Sequence, residues 1–167
     1  MPVITLVPVQ EYLQTSYRPD CDFLEGKLLE RNVGEWEHSR LQMLLSRYLS
    51  FREAQWAILV VPEQRVQVRA NRFRIPDITV ITGTPPTNGI ITQPPLLCIE
   101  ILSPSDRIGE MQDRIDDYLM FGVPCVWLID PRTRRAYIHT ATGVTDVRDG
   151  ILTAKHSEIR VSLNDLG

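Results

Sequence analysis

Residues 96–129, LLCIEILSPSDRIGEMQDRIDDYLMFGVPCVWLI, decide how the chain folds. Leu96–Leu102 is a short apolar run of the buried-strand kind, and Cys125–Ile129 is a second. Between them Ile108, Met111, Ile115 and Leu119 recur at helical spacing and form one face, with Arg107, Glu110, Arg114 and Asp117 on the other. Ser103-Pro104-Ser105-Asp106 offers residue types that cap a helix N-terminus, and Gly122 stands where a helix C-terminus is commonly closed. Strand, helix and strand in this order predict a sheet with helices packed on its faces.

Working outward, Val9–Leu13 reads as one or two helical turns, and Phe23-Leu24 with Leu28-Leu29 reads as a hairpin turning at Glu25-Gly26-Lys27. Leu41, Leu44, Leu45, Tyr48 and Leu49 mark an amphipathic helix within Glu35–Phe51. Ala57–Val61 and Arg65–Val68 read as strands. In RFRIPDITVIT after them, Pro76 suggests a strand start, bulge or edge. Gly83–Pro95 is a loop, and the short segments of Arg135–Val161, broken at Thr142-Gly143 and Asp149-Gly150, suggest an antiparallel meander. The expectation is a mixed α/β (α+β) fold in one domain spanning residues 1–167, with a central mixed β-sheet flanked by helices.

Composition narrows the function. The chain has 167 residues, 43% hydrophobic and 23% charged, enough for one core without staples. Cys21, Cys98 and Cys125 lack paired zinc spacing and read as reduced core residues of a cytoplasmic protein. The apolar start is interrupted by Pro2 and Pro8, so neither an export signal nor a membrane span is expected. A formal net charge of -3 excludes coating nucleic acid by bulk charge, so any such binding must be local. Of the 18 basic residues, only Lys27 and Lys155 are lysines.

Glu100 is the most informative residue, because a carboxylate stands inside an apolar strand. An ionised carboxylate buried without compensation costs several kcal/mol, so Glu100 must meet a cation, a metal or a donor, or keep a proton. A hairpin-like return of the chain could bring Asp77 beside it. Two carboxylates on neighbouring strands can grip one Mg²⁺. The plainer readings are a structural ion pair for Glu100 and a Pro-Asp turn for Asp77.

The blocks VQEYL, FLEGKLLE, EHSRLQMLL, RIPDITVI, PPLLCIEILSPSDR and RIDDYLMFGVPCVWLIDP together resemble the bacterial Uma-two family, assigned to the restriction endonucleases and the PD-(D/E)xK superfamily. The resemblance implies a restriction-endonuclease-like core and a nuclease acting on nucleic acid, DNA before RNA, with Mg²⁺ or Mn²⁺. It implies Asp77 and Glu100 as metal ligands, with the carbonyl of Ile101 as a third, and Glu25 as an outer acidic residue. The superfamily's lysine two residues after the glutamate is replaced by Leu102. Many relatives supply it from the next helix in the pattern K-hydrophobic-x-x-Y, and Arg114-Ile115-Asp116-Asp117-Tyr118 puts Arg114 in that place. Arginine can neutralise phosphate charge but, with a pKa above about 12, cannot accept a proton from water. Its plain alternative is a solvated helix-face residue paired with Asp117 or Glu110.

Arg65, Arg69, Arg72 and Arg74 could form a basic rim for a phosphate backbone, or lie on the solvent face of a sheet. His38 reads as an exposed or capping residue rather than a member of the site. Three functions stay open: a divalent-metal-dependent nuclease, working as a homodimer on a two-fold duplex; a non-catalytic binding module of the same fold in which Glu100 and Arg114 form a structural ion pair; and, ranked last, a generic α/β domain binding a small phosphorylated ligand near Ser103–Asp106.

Overall fold

The computed structural model describes residues 5–32 and 34–167; Pro2, at the apolar start, lies outside them. A short helix α1 (Val9–Gln14) precedes the hairpin β1 (Cys21–Leu24) and β2 (Lys27–Glu30), followed by α2 (Trp36–Ser50) and α3 (Glu53–Trp56). Then come β3 (Ile58–Pro62), β4 (Val66–Arg69), β5 (Arg72–Arg74), β6 (Ile78–Thr82) and β7 (Leu97–Ile101). Helix α4 (Ile108–Phe121) leads to β8 (Cys125–Ile129), β9 (Ala136–Thr140), β10 (Gly143–Val147), β11 (Ile151–Thr153) and β12 (Arg160–Ser162).

The central sheet has six strands in the order β10-β9-β8-β7-β6-β3. Strands β7 and β8 run parallel because α4 carries the chain back between them, and every other neighbouring pair is antiparallel. A second sheet, β2-β1-β5-β4, stands beside it. Strand β7 is buried along its whole length, as its apolar run requires. Its side chains alternate between two cores. Leu97, Ile99 and Ile101 meet the α2 leucines and the C-terminal segment, while Cys98 faces Met111, Ile115 and Tyr118 of α4. By that alternation Glu100 points toward α4.

Several expectations hold in detail. The hairpin turns on Glu25-Gly26, both at positive φ (48° and 93°), as a two-residue loop between twisted strands demands. Gly122 closes α4 in the left-handed region at φ 110°. All three cysteines are free and buried.

Three readings change. Arg107, not Ser103 or Asp106, precedes α4, and no side chain caps it; Asp106 Oδ2 instead accepts the Ser103 N–H at 2.7 Å inside the loop. The C-terminal region is not one meander, since β10 joins the central sheet while β11 and β12 pair only with each other. The two faces of α4 are also not simply apolar-in and polar-out. Ile108 is 91% exposed because the first turn runs past the core, whereas Asp117 is buried among arginines of the second sheet.

Candidate functional site

Asp77 ends the Ile75-Pro76-Asp77 connection and stands immediately before β6. Ile78 pairs with Ile99 across the antiparallel β6–β7 ladder, so Asp77 and Glu100 each lie one residue beyond that pair. The turn-like Pro-Asp and the buried strand thus deliver two carboxylates to one end of the sheet. Asp77 Oδ2 accepts the Ile101 N–H at 2.7 Å, and its carbonyl accepts the Gln42 side-chain amide at 2.9 Å. Arg31 contacts Oδ1, and His38 Nε2 lies 3.2 Å from Oδ2. Burial pushes the Asp77 carboxyl up, but the His38 hydrogen bond, the Arg31 charge and the Ile101 N–H outweigh it and hold it below its ordinary value.

Glu100 is fully buried and lies in the opposite electrostatic condition. Tyr118 donates its hydroxyl to Oε1 at 2.6 Å, and Arg114 reaches Oε2 only at 3.3 Å. Burial, helped by the negative charge of Asp77, outweighs Arg114 and Tyr118 and pushes the Glu100 carboxyl up to about 7. Arg114 is shared, its Nε lying 3.4 Å from Asp22 Oδ2 without a hydrogen-bond partner of its own. Arg114 is therefore not the solvated helix-face residue of the plain reading; it is held between two buried carboxylates.

A cavity of about 220 Å³ opens beside these groups, lined among others by Arg31, His38, Asp77, Ser103, Glu110 and Arg114. Ile101 also lines it. Glu25 does not, and its carboxylate pairs with Arg72 at 2.9 Å on the outer side of the hairpin. The arginine cluster is likewise committed elsewhere. Arg65 grips Asp20 and two backbone carbonyls, and Arg72 and Arg74 converge on Asp117, so neither the phosphate rim nor the solvent-face reading describes these three; Arg69 stays largely exposed, reaching Asp117 at 3.4 Å.

The chain matches over residues 9–156 the family model described as "Uma2: Putative restriction endonuclease". The chain belongs to the Uma2 family. No curated protein matches it. Among solved structures it is similar to "a putative nuclease belonging to DUF820" from Anabaena variabilis ATCC 29413, with a TM-score of 0.80 and 24% identity, covering 96% of this chain and 97% of that one. That likeness shows the fold, a mixed α/β sheet flanked by helices, and the description "Putative restriction endonuclease" is that of the family to which the chain belongs.

Sequence reasoning reached Asp77, Glu100, Ile101 and Arg114, which the fold assembles within this Uma2 chain. It missed Asp22, Arg31 and Gln42, and it set His38 aside as exposed or capping, although His38 touches Asp77. Asp22 had a faint signal: a carboxylate between Cys21 and Phe23 in a strand whose first three residues are all buried. Arg31 and Gln42 had none, because their partner lies 35 or more residues away.

Proposed function

We propose that the protein is a divalent-metal-dependent nuclease that hydrolyses nucleic-acid phosphodiester bonds, DNA in the first instance. The observation that carries this reading is the carboxylate of Glu100, fully buried directly behind the cavity wall that Asp77, Ile101 and Arg114 form, with Tyr118 and one long contact to Arg114 as its partners. A structural ion pair would hold Glu100 ionised, yet one long contact to a shared arginine leaves its pKa at about 7. Asp77 has its counter-charges in Arg31 and His38, so it is Glu100 alone that is left short of one.

The donor set fits a small, hard cation. Mg²⁺ is commonly held by one or two carboxylates, with substrate phosphate and water completing its shell. Among the described residues no group of three or more His, Cys, Asp or Glu side chains is placed to hold a metal ion, so the chain would supply only these two carboxylates and a carbonyl. Asp77, Glu100 and the Ile101 carbonyl would hold it. Bound there, Mg²⁺ or Mn²⁺ would polarise the scissile phosphate and lower the pKa of an attacking water. Arg114 lines the cavity and supplies a fixed positive charge for the phosphate, but never a proton acceptor. Arg31 already holds Asp77 Oδ1 and would compete with a cation for that carboxylate. His38 holds its proton toward Asp77: burial opposes protonation, and the hydrogen bond and charge of Asp77 override it and raise its pKa.

The rival, a non-catalytic binding module, draws support from the same Arg31 contact, because a guanidinium already neutralises Asp77. Cleavage of supercoiled plasmid, linear duplex and single strands separates the two. We expect cutting with Mg²⁺ or Mn²⁺ that a chelator abolishes and Asp77→Ala removes, with Arg114→Lys cutting as well as or better than the wild type. A folded wild type that cuts none of these substrates overturns the nuclease reading and leaves the binding module. Among the described residues no helix is long and apolar enough to cross a membrane.

A further inference from the structure

We infer that Arg31 is a substrate-binding residue that couples the metal to the nucleic acid: its guanidinium holds the cation's place on Asp77 in the metal-free chain and passes to a phosphodiester oxygen when a cation takes that carboxylate. This rests on the nuclease reading above. Arg31 directly follows β2, its side chain is 11% exposed, and it contacts Asp77 Oδ1. Among the described residues this is the one hydrogen bond that its side chain makes, although a guanidinium carries five N–H donors. Arg31 also lines the cavity. Donors that Asp77 does not use therefore belong to a residue of the cavity wall.

The neighbouring arginines are in a different condition. Arg74 and Arg65 each spend all their guanidinium nitrogens on several protein oxygens. Arg114 is held between two buried carboxylates, Asp22 and Glu100. Arg31 has a single carboxylate partner, and that partner is the one a cation would need. Asp77 would not be left bare by its departure, since His38 lies 3.2 Å from Oδ2 and the Ile101 N–H donates to the same oxygen at 2.7 Å.

Charge decides what displaces Arg31. Besides Asp77, the cavity wall carries Glu30, Glu63, Asp106 and Glu110, opposed by Arg31, Arg114 and His38, so carboxylates outnumber cations. A phosphodiester entering without a metal meets a negative wall. A dication entering without a phosphodiester meets a guanidinium already on Asp77. When both enter, the cation gains Asp77 and the guanidinium gains phosphate oxygens, which its fork of donors suits. Each ligand removes the obstacle to the other, and such coupling is reciprocal: the factor by which the strand tightens the metal is the factor by which the metal tightens the strand.

Titration of the full chain with Mn²⁺ in the absence of nucleic acid, followed by the electron paramagnetic resonance of the free ion, tests the first half. Arg31→Gln, which keeps a donor for Asp77, should bind Mn²⁺ at least about tenfold more tightly than the wild type, since a unit charge a few ångströms from a dication costs more than that even at an effective dielectric constant of about 20. Arg31→Lys, which keeps the charge, should stay close to the wild type. Arg148→Gln, an equal change in net charge at an exposed residue, should change nothing. Fluorescence anisotropy with a labelled phosphorothioate oligonucleotide, which resists cutting, tests the second half. Mn²⁺ should tighten its binding to the wild type, and by a smaller factor to Arg31→Gln. An Mn²⁺ affinity of Arg31→Gln equal to or below that of the wild type overturns the inference, because removing an arginine that merely fastens Asp77 would loosen the site. So does an affinity that survives Asp77→Ala in the Arg31→Gln background, or a wild type in which Mn²⁺ leaves strand binding unchanged. If the wild type still cuts nucleic acid in Mn²⁺, those results leave the nuclease reading standing. A wild type that binds no Mn²⁺ with or without the strand and cuts nothing removes that reading and this inference with it.

Discussion

Replacing Arg74 with methionine should lower the free energy of unfolding by about 3–5 kcal/mol, the usual cost of removing one partner from a buried ion pair. Arg74 is 1% exposed, and its guanidinium is fully engaged. Nε donates to Asp117 Oδ2 at 2.6 Å, one terminal nitrogen to Asp22 Oδ2 at 3.0 Å and the other to Asp113 Oδ2 at 3.0 Å. After the substitution Asp117 keeps Arg72 at 2.7 Å, and Asp113 is largely in solvent. Asp22 fares worst, since it is completely buried and retains only the Ile75 N–H at 3.1 Å and the distant Arg114. Urea denaturation measures the effect as a lower midpoint at unchanged slope. A loss below about 1 kcal/mol would show that the network is not what fastens the second sheet to α4. Arg72→Met should cost less, because two of its three carboxylate partners, Glu25 and Asp113, are exposed.

That network also explains what could and could not be read from the sequence. The strands were legible because apolar runs of five residues have few alternatives, and Glu100 was legible because a carboxylate inside such a run demands an explanation; Asp77 was reached through its place ahead of the neighbouring strand and the family resemblance of Ile75-Pro76-Asp77. The inner face of α4 was misread for the same reason. Periodicity treats Asp117 and Arg114 as solvent-facing and Ile108 as buried, but a helix packed against arginine-bearing strands buries its charges once each is paired. The four arginines before Asp77 looked like a phosphate rim because their carboxylate partners are about 40 to 50 residues away in sequence. Chain distance hides ionic pairs that only tertiary structure creates. Arg31 and His38 escaped notice on the same grounds, although Asp77, the residue they serve, was identified.

Glu100→Gln should abolish metal-dependent cleavage, by at least about 100-fold, while making the metal-free protein more stable than the wild type at alkaline pH. The first effect follows if Glu100 is a ligand, since loss of even outer-shell support costs metal sites 10- to about 100-fold. The second follows from its titration. Burial raises the carboxyl from its ordinary 4.5 to about 7 in the folded chain. A group raised on folding contributes stability that is complete below its unfolded value and is lost as pH climbs through its folded value. The wild type should thus lose on the order of 1–3 kcal/mol between about pH 4.5 and 8 from this group, and glutamine, which carries no proton to lose, should not. Denaturation midpoints at pH 5 and pH 8 in chelator should diverge for wild type and variant in that sense. If Glu100 were instead a structural partner of Arg114, the variant would be less stable at both values, because a buried guanidinium would lose a counter-charge. Adding Mg²⁺ at pH 8 sharpens the contrast. Binding to the folded state alone stabilises it by mass action, so the wild type should recover what ionised Glu100 had cost, and the variant, with one ligand gone, should respond far less. A carboxylate that weakens the empty protein and strengthens the loaded one is held in place for the cation, since folding alone would be better served by the amide.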